Sequence, residues 1–311
     1  MRSYCVFPRL GVLASRLALV VLFLSTAAQA GAWTQKKGHY YLELTTSYLY
    51  AGDEFDFRGR KRDILADFSY YQNTSYEEWK FALYVEYGLT PYLTLVADVP
   101  FKIATDTRTI VGVRYFDGET FENVSTGFSD LTLGTRLRLL SGPVVVSVES
   151  GVKLPLGYDT SPTNEAPALG TGDVDAHSFL WVGTSFYPFP AYATGYVGYR
   201  LRTGVLNDEA LFYAEAGLTP GRFIFKGAVM GVRNTGTLQD IYGETVITPL
   251  PGGGGDVPVR IFGDQDFTKL DVEVGYRLFG RIGVVGKFFH VLSGKNVIAE
   301  SSVSFGLVLR K

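Results

Sequence analysis

The sequence predicts a transmembrane antiparallel up-and-down β-barrel of about twelve strands. Three observations predict it: a leader-like first thirty residues, segments that alternate apolar with charged side chains, and connectors that alternate short with long.

Residues 1–30 read as a cleaved signal peptide. Arg2, Arg9 and Arg16 make a basic start without an acid, Leu17 to Thr26 is apolar, and Ala28-Gln29-Ala30 matches a small-x-small cleavage site. The apolar run is too short for a spanning helix, which needs about 20 residues. The mature domain is expected over 31–311. Cys5, the only cysteine, leaves with the leader, so neither a disulfide nor a cysteine metal site is expected. Removing the three leader arginines leaves 26 Lys+Arg against 31 Asp+Glu, a net charge of about −5, and nothing resembles a nucleic-acid-binding footprint.

The 20 Tyr and 22 Phe favour strands, while 36 Gly punctuate turns. After the leader no run approaches about 18 apolar residues, so helical spans are excluded. A membrane protein without them must close its sheet, because lipid cannot satisfy an open edge.

Alternation then places the strands. In Phe267 to Phe279, Thr268, Leu270, Val272, Val274, Tyr276 and Leu278 share one face, and Lys269, Asp271, Glu273 and Arg277 the other. The same contrast runs through 78–89, 92–104, 130–140, 144–155 and 297–310. A soluble sandwich or lipocalin-like barrel would have to hide the four charges of 267–279 in its core or expose them opposite a second sheet, which disfavours both. The strands are expected near 39–50, 76–88, 92–104, 128–140, 143–156, 175–187, 192–203, 210–219, 222–233, 266–279, 282–292 and 297–310. Short turns separate them at one end. Longer connectors, notably 105–127 and 234–265, form outside loops at the other, and both chain ends fall in the periplasm. Ile64 to Gln72 looks strand-like, but an extra span would break the parity, so it belongs to the first outside loop or extends the second strand. Tyr87, Tyr92, Tyr187, Phe189, Tyr192, Phe223 and Phe279 flank the turns as an aromatic belt would.

The chain resembles the outer-membrane proteins grouped under the meta-pathway of phenol degradation. Residues carrying the resemblance are Gly31-Ala32-Trp33-Thr34-Gln35, Tyr84 to Thr90 running into Leu93-Thr94-Leu95, Phe128 to Gly134, Gly151 to Pro155, Thr268 to Leu278 and Gly294-Lys295-Asn296. They span nearly the whole mature chain. The resemblance implies a bacterial outer-membrane barrel with a transporter-like role, and carries no site residues with it. The chain departs from a common barrel ending by closing on Leu309-Arg310-Lys311 rather than an aromatic.

No catalytic or metal motif emerges. A hydrolase would need a Ser beside a His on one face. His177 and Ser178 are adjacent and so point oppositely, while a cross-strand pair stays open. Asp173 with Asp175, or Asp264 with Asp266, could hold Ca²⁺ but read better as solvated loop carboxylates. Gly252 to Gly255 lacks the Lys-Ser/Thr of a phosphate loop. No cofactor is implied. Function is expected in the lumen, with Glu86, Asp98, Lys102, Arg136, Arg138, Glu149, Lys153, Arg200, Arg202, Glu215, Lys226, Lys269, Asp271, Glu273 and Arg277 as lining candidates, joined by Glu43. Tyr41, Tyr84, Tyr92, Tyr192 and Tyr196 could offer stacking to an aromatic solute. Either these charges line a water-filled passage for small solutes, or they pair and fill the interior of a structural or surface-binding barrel. The expected partners are outer-membrane lipid and lipopolysaccharide, a small-molecule solute, and the barrel-assembly machinery during biogenesis.

Overall fold

The computed structural model describes residues 31–160, 166–238 and 264–311. The expected leader, the Gly252 to Gly255 run and most of 234–265 lie outside these residues.

The strands are β1 (Tyr40–Ala51), β2 (Asp53–Phe55), β3 (Lys61–Asp63), β4 (Tyr71–Gly88), β5 (Leu93–Ile110), β6 (Thr120–Phe128), β7 (Asp130–Leu140), β8 (Val144–Pro155), β9 (Asp175–Ser185), β10 (Ala191–Arg202), β11 (Glu209–Leu218), β12 (Phe223–Asn234), β13 (Asp266–Phe279), β14 (Ile282–Lys295), β15 (Val297–Ile298) and β16 (Ser301–Arg310). The large sheet runs β4-β1-β16-β14-β13-β12-β11-β10-β9-β8-β7-β5 and closes through β4–β5 pairing, so the ring of twelve strands has no first or last member, while β6 adds to β5 alone. β6 and β7 are one long strand interrupted at Ser129. Phe101 to Thr109 of β5 pair with β6, and Leu93 to Asp98 pair with β7. The barrel therefore has twelve antiparallel spans.

The first and last barrel strands meet. The Lys311 N–H donates to the Tyr40 carbonyl at 3.0 Å, and β1 pairs with β16 from Tyr41↔Arg310 to Tyr50↔Ser301.

Alternation decides which way each strand faces. Leu44, Trp79, Phe81, Leu83, Leu133, Leu137, Val272, Val274, Phe305 and Leu307 all stand exposed on the outward face. A continuous apolar band of this kind suits acyl chains and not water. Tyr87, Tyr187, Phe189, Phe223 and Phe279 are exposed near the short-turn end, as a headgroup-level belt requires.

Several sequence expectations are corrected. Tyr192 is only 3% exposed and donates its hydroxyl to Glu215 at 2.6 Å, so it belongs to the interior and not to the belt. Tyr92 is 59% exposed at the turn end, beyond the barrel interior proper. The connector 105–127 is largely a hairpin, since β5 runs on to Ile110 and β6 starts at Thr120. The last span starts at Ser301, because Val297–Ile298 pairs instead with β2, which pairs with β3, in a small loop-side sheet. Ile64 and Leu65 are buried there against Ala51, Tyr76, Ala104 and Leu169, and β4 begins at Tyr71, extending the second span into the loop layer.

Candidate functional site

The strand registers put all fifteen candidate charges on the inward face. Tyr84↔Asp98, Arg136↔Glu149, Lys153↔Asp175, Lys226↔Glu273 and Lys269↔Val291 are opposed in alternating rows with the buried Glu43 and Thr94. Most are paired. The Arg136 guanidinium reaches Glu149 at 2.7 Å and Glu86 at 2.8 Å. Lys226 meets Glu273 at 2.9 Å; Lys287 meets Glu273 at 3.4 Å and also pairs with Glu43. Lys153 joins Asp175 at 2.7 Å and Asp130 at 3.4 Å. Arg200 and Arg202 share Glu209, at 2.7 and 3.0 Å, and Lys102 meets Glu78 at 3.1 Å. Lys269 pairs with Glu300. Glu215 accepts from Tyr192 and Tyr213. Among the described residues Asp271 Oδ1, Arg138 Nε and Arg277 Nε are buried without a hydrogen-bond partner, although the Arg138 guanidinium lies 5.2 Å from the Tyr92 ring.

The direction of these pairs matters more than their number. Those just described between barrel strands join neighbours or strands two apart in the sheet order, as Arg136 of β7 does with Glu86 of β4 across β5. They therefore run along the wall and leave the space inside it unbridged.

What crosses the interior is the chain before β1. The Ala32 N–H donates to Thr194 Oγ1 of β10 at 3.2 Å, and Ser147 of β8 donates to the Ala32 carbonyl at 2.5 Å. Arg136 donates to the Trp33 carbonyl at 3.3 Å. The Gln35 N–H donates to Thr94 of β5 at 2.8 Å, and Gln35 Nε2 donates to Glu86 of β4 at 2.7 Å. β10 and β4 are five steps apart around the barrel, so Ala32 to Gln35 lies as a strap across the turn-side end. Small residues let it sit so close. A Cβ on Gly88 would stand 2.1 Å from the Lys36 carbonyl oxygen, and one on Gly183 would stand 2.9 Å from Ala32 Cβ. From sequence, Gly31 to Gln35 are the start of the mature chain and part of the family resemblance, but five irregular residues carry no periodicity that would place them.

On the loop side of the strap, one wall is aromatic. His177 stacks on Phe179 at 4.7 Å, Phe179 on Tyr196 at 4.6 Å, and Tyr196 on Tyr213 at 5.6 Å. Trp181 leans edge-on against Tyr196 at 4.6 Å, with the Arg136 guanidinium 5.3 Å from its ring. Trp33 of the strap meets Tyr192 at 6.0 Å, continuing the ring series inward. Tyr41 and Tyr84 are on the opposite wall, donating to Glu43 and Glu86 at 2.5 and 2.7 Å.

Two cavities open among these walls. One of about 410 Å³ includes Lys80, Lys102, Lys269, Phe289 and Glu300. The other, about 360 Å³, includes Lys153, Tyr196, Arg200, Arg202 and Glu209. Met230, Gln265 and Phe267 line both. Lys80, Lys287, Glu78, Asp175 and Glu209 were not among the sequence candidates, although alternation within their strands would have found them.

The chemical alternatives fare as follows. Asp264 accepts from the Asn207 N–H at 2.8 Å, Asp266 from the Asn234 N–H at 2.7 Å, and Asp175 pairs with Lys153. Among the described residues no group of three or more His, Cys, Asp or Glu is placed to hold a metal. Ser178 bonds Ser150 on the outward face at 3.1 Å, away from the inward His177. A cross-strand pair does exist: His290 Nδ1 and the Ser301 hydroxyl meet at 2.8 Å on the outward face.

No family model matches the chain, and no curated protein matches it. Among solved structures it is similar to the COG4313 outer membrane channel from Pseudomonas putida F1, with TM-score 0.59 and 11% identity over 92% of this chain and 100% of that one. It is also similar to the CymD monoaromatic hydrocarbon channel, with TM-score 0.42 and 9% identity over 89% of each chain. The transport unit of the autotransporter AIDA-I from Escherichia coli gives TM-score 0.46 and 8% identity over 96% of this chain and 97% of that one. At such identities the likeness is one of fold. With the apolar outer band, it places the chain as a β-barrel of the bacterial outer membrane.

Proposed function

We propose that the barrel is an outer-membrane channel for passive passage of small solutes, aromatic or hydrophobic ones included, and has no enzymatic step. The observation that carries this reading is that the ion pairs run along the wall while two cavities stay open between the loop side and the strap. The ring series from His177 to Tyr213 offers a solute successive stacking surfaces, and aromatic pairs of this kind contribute about 0.5–1.5 kcal/mol each. The resemblance to the meta-pathway of phenol degradation proteins supports the same reading. The lining role of the fifteen inward charges is part of this proposal: they hold a hydrated, near-neutral wall through which a solute moves down its gradient. Lipid and lipopolysaccharide contact the outer band, and insertion proceeds through the barrel-assembly machinery.

The test is current through the refolded mature barrel in a planar bilayer, with liposome swelling by phenolic and aliphatic solutes. Discrete ohmic steps and faster entry of phenolics are expected. Silence from a barrel shown to be folded, or equal entry of both solute classes, would overturn the corresponding half of the reading. Phospholipid hydrolysis that disappears in Ser301→Ala would overturn its non-enzymatic character.

A further inference from the structure

The larger cavity is lined by three lysines and three glutamates, and all but one of the six make a direct ion pair among the described residues. Glu78 is held by Lys102 at 3.1 Å and by the Tyr76 hydroxyl at 2.9 Å. Glu300 is held by Lys269, and Glu54 by Arg62 at 3.1 Å. Lys80 shares the cavity and has neither an ion pair nor a hydrogen bond among the described residues. It stands directly opposite Lys102 in the β4–β5 register. Like charges directly opposed across strands are destabilising, and an anion at Lys80 would offset that opposition. Glu78 and Asp98 act on Lys80 through space without touching it, Asp98 facing Tyr84 four residues further toward the turn end.

Leu49, Tyr76, Met230, Phe267, Phe289, Val297 and Ile298 supply the apolar part of the remaining wall, and Ser47, Gln265, Asn296 and Ser302 the polar part. At about 410 Å³ it falls in the size range of small-molecule sites. An ammonium without a direct partner, set beside aromatic and aliphatic side chains, selects a ligand that carries one negative charge on an apolar body. A small inorganic anion would leave the apolar wall unused, and a neutral hydrocarbon would leave the ammonium without a partner.

We propose that this cavity is a binding site for small aromatic carboxylates, with Lys80 receiving the carboxylate and Phe267 and Phe289 flanking the ring. It rests on the reading of the interior as a solute passage and names the solute class.

The test is calorimetric titration of the folded mature barrel in detergent with benzoate, benzamide and acetate. Benzoate is expected to bind at least tenfold more tightly than the neutral benzamide or the ring-less acetate. Lys80→Met should weaken benzoate at least tenfold and leave benzamide unchanged, while Lys80→Arg keeps benzoate binding. Equal affinity for benzoate and benzamide, equal affinity for benzoate and acetate, or unchanged benzoate binding by folded Lys80→Met would each overturn the site. The wild-type comparison needs no variant, so it holds even where Lys80→Met does not fold. Because binding is read without current, benzoate binding in a silent barrel would sink the passage alone. A conducting barrel without benzoate binding would sink the site alone.

Discussion

Replacing Arg136 by Met should destabilise the barrel by roughly 3–5 kcal/mol, the usual cost of breaking a buried ion pair from one side. The side chain is 2% exposed, and methionine retains much of its apolar stem while removing the charge. Its two carboxylate partners are not equivalent. Glu86 keeps two donors without it, the Tyr84 hydroxyl at 2.7 Å and Gln35 Nε2 at 2.7 Å. Glu149 has no other donor among the described residues, so nearly all of the uncompensated charge falls there. Adding Glu149→Gln to Arg136→Met should therefore recover about 1–3 kcal/mol, the cost of leaving a buried polar group unsatisfied. Adding Glu86→Gln should recover much less. Urea unfolding of the barrel in lipid vesicles, followed by tryptophan fluorescence, measures all four proteins, and Trp33 and Trp181 both adjoin the guanidinium. A loss below about 1 kcal/mol for Arg136→Met, or equal rescue by the two glutamine substitutions, would refute the reasoning.

Three further outcomes follow from particular contacts. Gly88→Ala places a methyl 2.1 Å from the Lys36 carbonyl and should dislodge the strap, raising single-channel conductance at unchanged strand content by circular dichroism; unchanged conductance would show that the strap does not restrict flow. Leu133→Arg on the outward face of β7 should cost roughly 2–4 kcal/mol in a vesicle-folding titration, whereas Leu140→Arg at the turn end should cost about 0–1, and equal costs would contradict the lipid-facing assignment. In the β2–β3 turn, burial acts to raise the Asp56 carboxyl. The Arg60 and Arg58 N–H groups and the Arg60 guanidinium outweigh it and hold the carboxyl below its ordinary value. A depressed folded value stabilises the turn above the unfolded carboxyl's value of about 3.9, and the contribution is lost as pH falls through the lower folded one. Amide exchange of Gly59 and Arg60 should therefore stay slow at pH 5 and quicken in strong acid; acceleration already between pH 7 and 5 would contradict this.

Much of the architecture was readable from residue order. The span 266–279 was placed at both ends, and most other spans within a residue or two, because alternation has a period of two and lipid on one face enforces it. The same alternation oriented the fifteen inward charges, and the alternation of short turns with long connectors set the number of spans. It was less informative where no membrane face imposes the pattern. The hairpin extending β5 and β6, the small β2–β3–β15 sheet and the late start of β16 at Ser301 all lie in the loop layer.

What the sequence determined by itself is thus the twelve membrane spans and the face most of their side chains present, since both are local properties of an extended chain. What only the tertiary structure decided is which inward groups meet. Arg136 reaches Glu86 across an intervening strand, Lys287 joins Glu43 from the far end of the chain, Lys80 stands opposite Lys102, and Ala32 to Gln35 crosses the interior. Those meetings depend on barrel closure and on the register between strands distant in sequence. A one-dimensional period of two carries no information about either.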